Sequence, residues 1–206
     1  CIVGTGWVLA SLLGTVPYVM ILDVSFADAF FESSSGLTTT GASVFGDFSD
    51  FPRSLMFWRC LSHWIGGLGV VMFFVAILSF LGSDGRILYS RETSADSGGG
   101  VETERIQSIA LKIIGLYLSI SAICAISFKL CSMTWYDAIC HMFSTVSTGG
   151  FSVYENSISH YDNLAVYWVV ALFMFIGGVG FSTIIFLASG KFHRAMQNTE
   201  LKVYVG

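Results

Sequence analysis

Four apolar segments, each long enough to cross a bilayer, constrain what this chain can fold into more than any other feature of its sequence. They occupy residues 1–22, 53–81, 106–128 and 162–190, and a transmembrane helix needs about 20 predominantly apolar residues. Only 12% of the residues are charged, and phenylalanine occurs 18 times, so the chain lacks the polar residues with which a water-soluble domain covers its surface. The sequence therefore predicts an all-α integral membrane protein with four spanning helices.

The distribution of charge predicts the orientation of these helices. The linker at residues 82–105, the tail at residues 191–206 and the start of the third apolar segment carry seven of the ten basic residues, whereas the opposite side carries eight of the fourteen acidic residues. Basic loops remain in the cytoplasm in multi-pass proteins. We therefore expect the linker and the tail to be cytoplasmic in a protein of the plasma (inner) membrane. The acidic loops would face outside, where they raise the local concentration of cations.

The two halves of the chain repeat each other. Residues 28–43, DAFFESSSGLTTTGAS, align without a gap to residues 137–152, DAICHMFSTVSTGGFS, at an offset of 109 residues. Further along, WIGGLGV at residues 64–70 aligns to FIGGVGF at residues 175–181, at an offset of 111. Each half thus contains a span, a short apolar segment, a turn rich in threonine and glycine, and a second span. The pattern predicts two tandem repeats of a first spanning helix (M1), a short helix and a second spanning helix (M2).

The short apolar segments before the two turns are too brief to cross a bilayer, so they are predicted to be re-entrant helices. Irregular backbone at membrane depth is tolerated only where protein buries it or where it lines an aqueous cavity. The turns therefore predict a pore or a binding site. We assign the repeats to residues 1–81 and 106–190, the pore helices to 26–35 and 135–145, and the filter turns to 37–41 and 146–150.

The composition of the turns fits the coordination of a monovalent cation by backbone carbonyls. Potassium filters replace the hydration shell of the ion with carbonyl oxygens, and glycine permits the backbone angles that aim successive carbonyls inward. Neither turn contains Asp or Glu, which disfavours a carboxylate site for divalent ions. The hydroxyls of Thr38 and Ser147 are candidates for a further ligand at the inner end. The candidate ion-binding residues are Leu37, Thr38, Thr39, Thr40 and Gly41 in the first turn and Val146, Ser147, Thr148, Gly149 and Gly150 in the second.

These motifs resemble those of the Trk/Ktr/HKT superfamily of potassium transporters, and of its TrkH-type members in particular. The matching stretches are FFESSSGLTTTGAS, FWRCLSHWIGGLGVV and FSTVSTGGFS. The resemblance implies potassium uptake through one central pore built from four such repeats, of which this chain would supply the first two. It also implies that Gly41 and Gly150 are filter glycines, that the subunit forms a homodimer with a pore in each copy, and that a peripheral cytoplasmic nucleotide-binding ring regulates it. In plant relatives a serine at the position of Gly41 is associated with sodium selectivity, so glycine favours potassium.

Two further sets of residues are predicted to support the turns. Glu32 and Arg59 lie in apolar stretches, where an unpaired charge is expensive, and both are absent from the second repeat, where His141 and either Val169 or Val170 align with them. We therefore hypothesise that Glu32 and Arg59 form an ion pair that braces the first pore helix against its M2 helix. In the alternative, Arg59 extends to the outer membrane interface. Small residues of the M2 helices are expected to allow close approach of helices or turns, and these are Gly66, Gly67, Gly177 and Gly178.

The leading interpretation is a potassium-translocating pore subunit that is not an enzyme and needs neither a cofactor nor a transition metal. A sodium-permeable or weakly selective transporter of the same fold is an alternative. An intramembrane serine protease, suggested by SSSG together with His63 or His141, would need a serine within hydrogen-bond reach of a base and leaves the repeated turn unexplained. A non-conducting scaffold subunit is a third alternative. The expected partners are the remaining repeats of the subunit and the lipid bilayer, and no nucleic acid.

Overall fold

The computed structural model describes residues 2–48, 50–90 and 100–179, and every regular element in these residues is helical. This result confirms the predicted all-α fold. The described elements are α1 (Ile2–Ile21), α2 (Phe26–Leu37), α3 (Arg53–Ser90), α4 (Gly100–Leu130), α5 (Trp135–Val146), a short 3-10 helix (Ser157–His160) and α6 (Leu164–Gly177).

Three of the described helices are long and apolar enough to cross a membrane. The candidate spans are Gly4–Ile21 in α1, Arg53–Phe73 in α3 and Ala110–Leu130 in α4. The apolar helix α6 corresponds to the start of the predicted second M2 helix, whose remainder from residue 180 to residue 190 lies outside the described residues. Large apolar side chains such as Leu13 and Met20 are exposed on α1, as expected of a helix that faces lipid or other protein.

The two short helices have the same local construction. Ser25 caps α2 and Thr134 caps α5, and each side-chain oxygen accepts a hydrogen bond from the backbone N–H of the aspartate three residues later, Asp28 or Asp137. Such caps satisfy N–H groups that have no partner inside the helix, and an aspartate in the first turn interacts favourably with the helix dipole. Both helices are 12 residues long, or about 18 Å, which is too short to cross a bilayer. Each ends slightly beyond its predicted end.

The linker predicted at residues 82–105 is helical at both of its ends. Helix α3 continues without a break to Ser90, and α4 already begins at Gly100. Two glycines at 82 and 85 cost the helix only about 1 kcal/mol each relative to alanine, and no proline follows them to end it. Residues 91–99 and the predicted tail at 191–206 lie outside the described residues.

Two compact units divide the chain. One comprises Cys1–Gly67 and Ile120–Gly178, and the other comprises Leu68–Ser119 and Val179–Gly206. The first unit contains α1, both short helices, both predicted filter turns and α6. Every candidate site residue therefore lies within a single unit.

Helix α1 holds the first short helix in place. The Ser33 hydroxyl of α2 donates a hydrogen bond of 2.7 Å to the carbonyl oxygen of Ser11, and the absence of a side chain at Gly14 leaves the space that this hydroxyl occupies. The Trp58 indole N–H of α3 donates to the carbonyl oxygen of Gly14 at 3.3 Å. In the second half, α5 packs against α6. Each short helix is thus supported by a longer apolar helix.

Candidate ion-coordinating site

The two predicted filter turns share one unusual backbone conformation. In the first turn, φ is 54° at Thr39 and 76° at Gly41; in the second turn, φ is 56° at Thr148 and 95° at Gly150. The residue between each pair is not in the left-handed region, so the sign of φ alternates along the turn. Positive φ is uncommon for threonine and marks a backbone that its surroundings hold in place. Such alternation turns successive carbonyls toward one side of the chain, as coordination by carbonyl oxygens requires.

The hydrogen bonds that leave the short helices are also repeated. The backbone N–H of Thr40 donates to the carbonyl oxygen of Ser35 at 2.9 Å, and that of Gly149 donates to the carbonyl oxygen of Ser144 at 2.9 Å. Because these four residues are related by the 109-residue offset, the sequence repeat corresponds to a repeat of backbone geometry.

The inner hydroxyls of the two turns have equivalent partners. Thr38 Oγ1 donates to the carbonyl oxygen of Ser34 at 2.7 Å, and Ser147 Oγ donates to the carbonyl oxygen of Phe143 at 2.7 Å. A hydroxyl that donates its proton keeps lone pairs with which it can accept a bond or bind a cation. Both side chains therefore retain the capacity to act as ligands.

The two turns lie side by side at their glycines. A side chain at position 41 would collide with the carbonyl oxygen of Gly149, and its Cβ would lie 3.8 Å from the Cα of Gly150. At position 150, in contrast, an added Cβ would meet no heavy atom within 4 Å. The absence of a side chain at Gly41 is therefore required both by its positive φ and by the neighbouring turn.

One glycine of each M2 helix allows the start of a filter turn to approach closely. A Cβ at Gly66 of α3 would lie 2.7 Å from the carbonyl carbon of Leu37, and a Cβ at Gly177 of α6 would lie 2.9 Å from the carbonyl oxygen of Val146. The next glycine has another role at the end of α6, because the Gly178 N–H donates to the carbonyl oxygen of Met174 at 2.9 Å and caps the helix. Gly67 follows Gly66 along α3 and is half-buried.

The predicted ion pair between Glu32 and Arg59 is present. Arg59 Nε lies 2.5 Å from Glu32 Oε1, and the two side chains are 2% and 0% exposed. Arg59 therefore does not extend to the membrane interface. The Glu32 carboxylate also accepts hydrogen bonds from the Ser43 hydroxyl at 3.0 Å and from the Val44 N–H at 3.3 Å. One buried carboxylate thus joins the first short helix to M2 and to the chain that leaves the first turn.

In the second repeat, a neutral histidine takes the place of this carboxylate. His141 Nδ1 lies 2.9 Å from the carbonyl oxygen of Asp137, which can only accept, and His141 Nε2 lies 3.2 Å from the Ser152 hydroxyl. With its Nδ1 proton donated to that carbonyl, the neutral imidazole accepts the serine proton at Nε2. Ser43 and Ser152 are related by the repeat, and each donates to the aligned residue of its own short helix.

Sequence reasoning did not identify the residues that surround the far side of Arg59. Arg59 Nη1 donates to the carbonyl oxygen of Ser152 at 3.2 Å, and the guanidinium lies 3.8 Å from the ring centroid of Phe151 and 4.4 Å from that of Phe48. The ring of His63 stacks on Phe151 at 4.0 Å. The contacts of Arg59 with Ser152 and of His63 with Phe151 join residues 93 and 88 positions apart, so no local pattern in the sequence marks them.

Comparison with known proteins establishes the family. The family model described as TrkH, cation transport protein, matches residues 1–202. The chain belongs to the TrkH family of cation transport proteins. The described residues contain three apolar helices of spanning length and no strand, which agrees with membership of this family of membrane proteins.

Individual TrkH proteins support the assignment. The Trk system potassium uptake protein TrkH of Vibrio parahaemolyticus is 37% identical over 178 residues, which cover 85% of this chain and 37% of the relative. TrkH of Escherichia coli (strain K12) is 31% identical over 203 residues, covering 97% of this chain and 42% of the relative. The crystal structure of the potassium transporter TrkH from Vibrio parahaemolyticus matches 97% of this chain and 40% of its own with a TM-score of 0.78 at 30% identity. The chain thus spans about two fifths of the length of these TrkH proteins.

Proposed function

We propose that this chain forms part of a pore through which potassium ions are taken up across the membrane, with the carbonyls of residues 37–41 and 146–150 as ligands. The observation that carries the proposal is the matched backbone of the two turns, in which the sign of φ alternates at the same positions. Two copies of one strained conformation, each at the C-terminal end of a short helix, would present carbonyls and the negative ends of two helix dipoles to a cation.

The TrkH relatives, which carry potassium uptake in their names, support the choice of ion. Selective coordination also needs turns that keep their shape. The paired glycines of the second turn would make it the more flexible of the two, but Gly149 lies against the ring of His63. A flexible second turn would favour the competing sodium-permeable function, whereas the contact with His63 restrains this turn.

The protease alternative receives no support from Ser33 and Ser35, two of the three serines that suggested it. The Ser33 and Ser35 hydroxyls donate to the carbonyl oxygens of Ser11 and Ala42, and not to an imidazole. A nucleophilic serine would need a base as its hydrogen-bond partner.

The proposal extends to the orientation of the pore in the membrane and to its partners. The turns would face the outside of the inner membrane, with the linker and the tail in the cytoplasm. The remaining repeats of the subunit would complete the pore, and a second subunit and a cytoplasmic nucleotide-binding ring would associate with it.

Rubidium uptake in a strain that lacks its own potassium uptake systems tests the proposal. The whole protein that carries this chain is expected to restore growth at low potassium and to take up rubidium in the presence of excess sodium. Gly41→Ser should lower the ratio of rubidium to sodium uptake, because it places a side chain against the second turn. Gly46→Ser is the matched control, since an added Cβ there meets nothing within 4 Å. An unaltered ratio in Gly41→Ser would overturn the filter assignment.

A further inference from the structure

We infer that helix α3 of the first repeat, through Arg59 and His63, fixes the position of the second filter turn and so helps to determine how well the pore separates potassium from sodium. The inference rests on the proposed role of the turns in ion coordination. Arg59 and His63 are four residues apart on α3, so they lie on one face of the helix. Both are fully or almost fully buried, and both contact the residues that follow Gly150.

His63 acts on the peptide group that carries the Gly150 carbonyl. The backbone N–H of Phe151 donates to His63 Nδ1 at 3.4 Å. In a planar trans peptide, the N–H and the preceding C=O point in opposite directions. A partner for the Phe151 N–H therefore fixes the direction of the Gly150 carbonyl, which points away from the imidazole. His63 is thus placed to orient a proposed ion ligand without touching the ion.

The same imidazole explains why the second turn departs from the composition of the first. Position 149 is glycine, whereas the aligned position 40 is threonine. A Cβ at Gly149 would lie 2.6 Å from two carbon atoms of the His63 ring, which is closer than side-chain atoms pack. Glycine at position 149 therefore provides space for His63 and need not make the turn flexible.

Arg59 holds the next part of the same segment. Its Nη1 donates to the carbonyl oxygen of Ser152 at 3.2 Å, while its Nε is paired with Glu32. The planar guanidinium also lies 3.8 Å from the centroid of the Phe151 ring. The ring of His63 stacks on the same Phe151 ring, with 4.0 Å between the two centroids. The planar fork of arginine allows these contacts at once, whereas the point charge of lysine would not reproduce them.

This arrangement accounts for the loss of both charges from the second repeat. The chain that leaves the first turn is bound by Glu32, through the Ser43 hydroxyl and the Val44 N–H. The chain that leaves the second turn is bound by Arg59, at the carbonyl of Ser152. One buried ion pair therefore binds the segments that follow both turns. A second arginine, at the position of Val169 or Val170, is not needed to hold these segments.

Substitutions that keep the buried charges but remove the contact with the second turn test this inference in the whole protein. Arg59→Lys retains a positive charge next to Glu32 and loses the bond to the Ser152 carbonyl. His63→Leu removes the acceptor for the Phe151 N–H, and His63→Gln supplies a new acceptor oxygen. Arg53→Lys is the matched control, because Arg53 is an exposed arginine of the same helix.

Two quantities are measured for each variant. The first is the ratio of rubidium to sodium uptake, and the second is the amount of protein that elutes as a single species in detergent. Arg59→Lys and His63→Leu are expected to lower this ratio by about fivefold or more, the size of a typical coupling between sites. His63→Gln should recover part of the loss, and Arg53→Lys should leave the ratio unchanged. A residue with only a structural role would change the amount of folded protein and leave the ratio as it is.

Wild-type ratios in folded Arg59→Lys and His63→Leu would overturn the inference. If Arg59→Lys does not fold, the charge-reversed double variant Glu32→Arg with Arg59→Glu replaces it, since it keeps an ion pair without an arginine at position 59; if His63→Leu does not fold, His63→Phe, which also lacks the acceptor, replaces it. A wild-type ratio in either replacement would likewise overturn the role of Arg59 or of His63, respectively. Gly41→Ser separates this inference from the function on which it rests. If Gly41→Ser alters the ratio and the α3 variants do not, only the inference fails; if Gly41→Ser leaves it unaltered, the filter assignment itself fails.

Discussion

Alanine substitution of the two proposed filter glycines should have unequal effects, although the glycines occupy matched positions. Gly41 and Gly150 have φ values of 76° and 95°, so alanine at either position is held in the left-handed region. The space around them differs. An alanine Cβ at position 41 would collide with the carbonyl oxygen of Gly149, whereas at position 150 it would meet no atom within 4 Å.

The difference can be converted into an expected effect on uptake. Alanine in the left-handed region costs roughly 1–2 kcal/mol at either position. Collision with backbone adds about 1–3 kcal/mol at position 41 only. The atom that must move is a carbonyl oxygen proposed to bind the ion, so this second cost affects ion coordination directly. A difference of this size corresponds to a factor of about 5–150, and Gly41→Ala should therefore be the more damaging variant by that factor.

Initial rates of rubidium uptake, measured at matched amounts of membrane-inserted protein, test this expectation. Gly46→Ala is the control, since position 46 has open space around it. Gly41→Ala should lower the rate far more than Gly150→Ala, and the control should match the wild type. Equal losses in the two variants, or a larger loss in Gly150→Ala, would show that contact between the turns does not limit ion coordination.

Two further predictions concern stability, measured by thermal unfolding in detergent. Breaking the buried ion pair by Glu32→Gln or Arg59→Gln should each cost about 3–5 kcal/mol, and the double variant should lose less than the sum of the two, by about 1–3 kcal/mol; additive losses would contradict the coupling. Gly66→Ala should cost about 1–3 kcal/mol, because its Cβ would lie 2.7 Å from the carbonyl carbon of Leu37. Gly115→Ala, which has open space around it, should cost nothing, and an equal Tm for both glycine variants would argue against close packing at Gly66.

The sequence was sufficient to predict the fold class, because apolar segments of spanning length have few other ways to fold. It was less informative about the linker, since the ends of a helix depend on small local energies. Glycines at 82 and 85 do not end α3, although residues 82–105 were predicted to form a linker. Residue composition therefore indicated where the apolar spans lie, but not where their helices end.

For the candidate site, the sequence predicted the buried ion pair, because a buried charge needs a partner of opposite sign. Glu32 and Arg59 were expected to pair because neither charge is tolerated alone in an apolar environment, and they do pair. The contacts of Arg59 with Ser152 and of His63 with Phe151 were not predicted, because they join different repeats across 93 and 88 residues. The one available signal was the glycine at position 149 in place of threonine, which reflects the space that His63 occupies.

The contact between His63 and Gly149 also has a consequence for how the two repeats could have diverged. A protein assembled from two identical copies of the first repeat would bring a threonine, as at position 40, against the imidazole of His63, where only glycine fits. After duplication, the glycine at position 149 therefore had to arise before the histidine at position 63 or together with it. The two halves are therefore no longer interchangeable at this contact, even though each keeps its own short helix and turn.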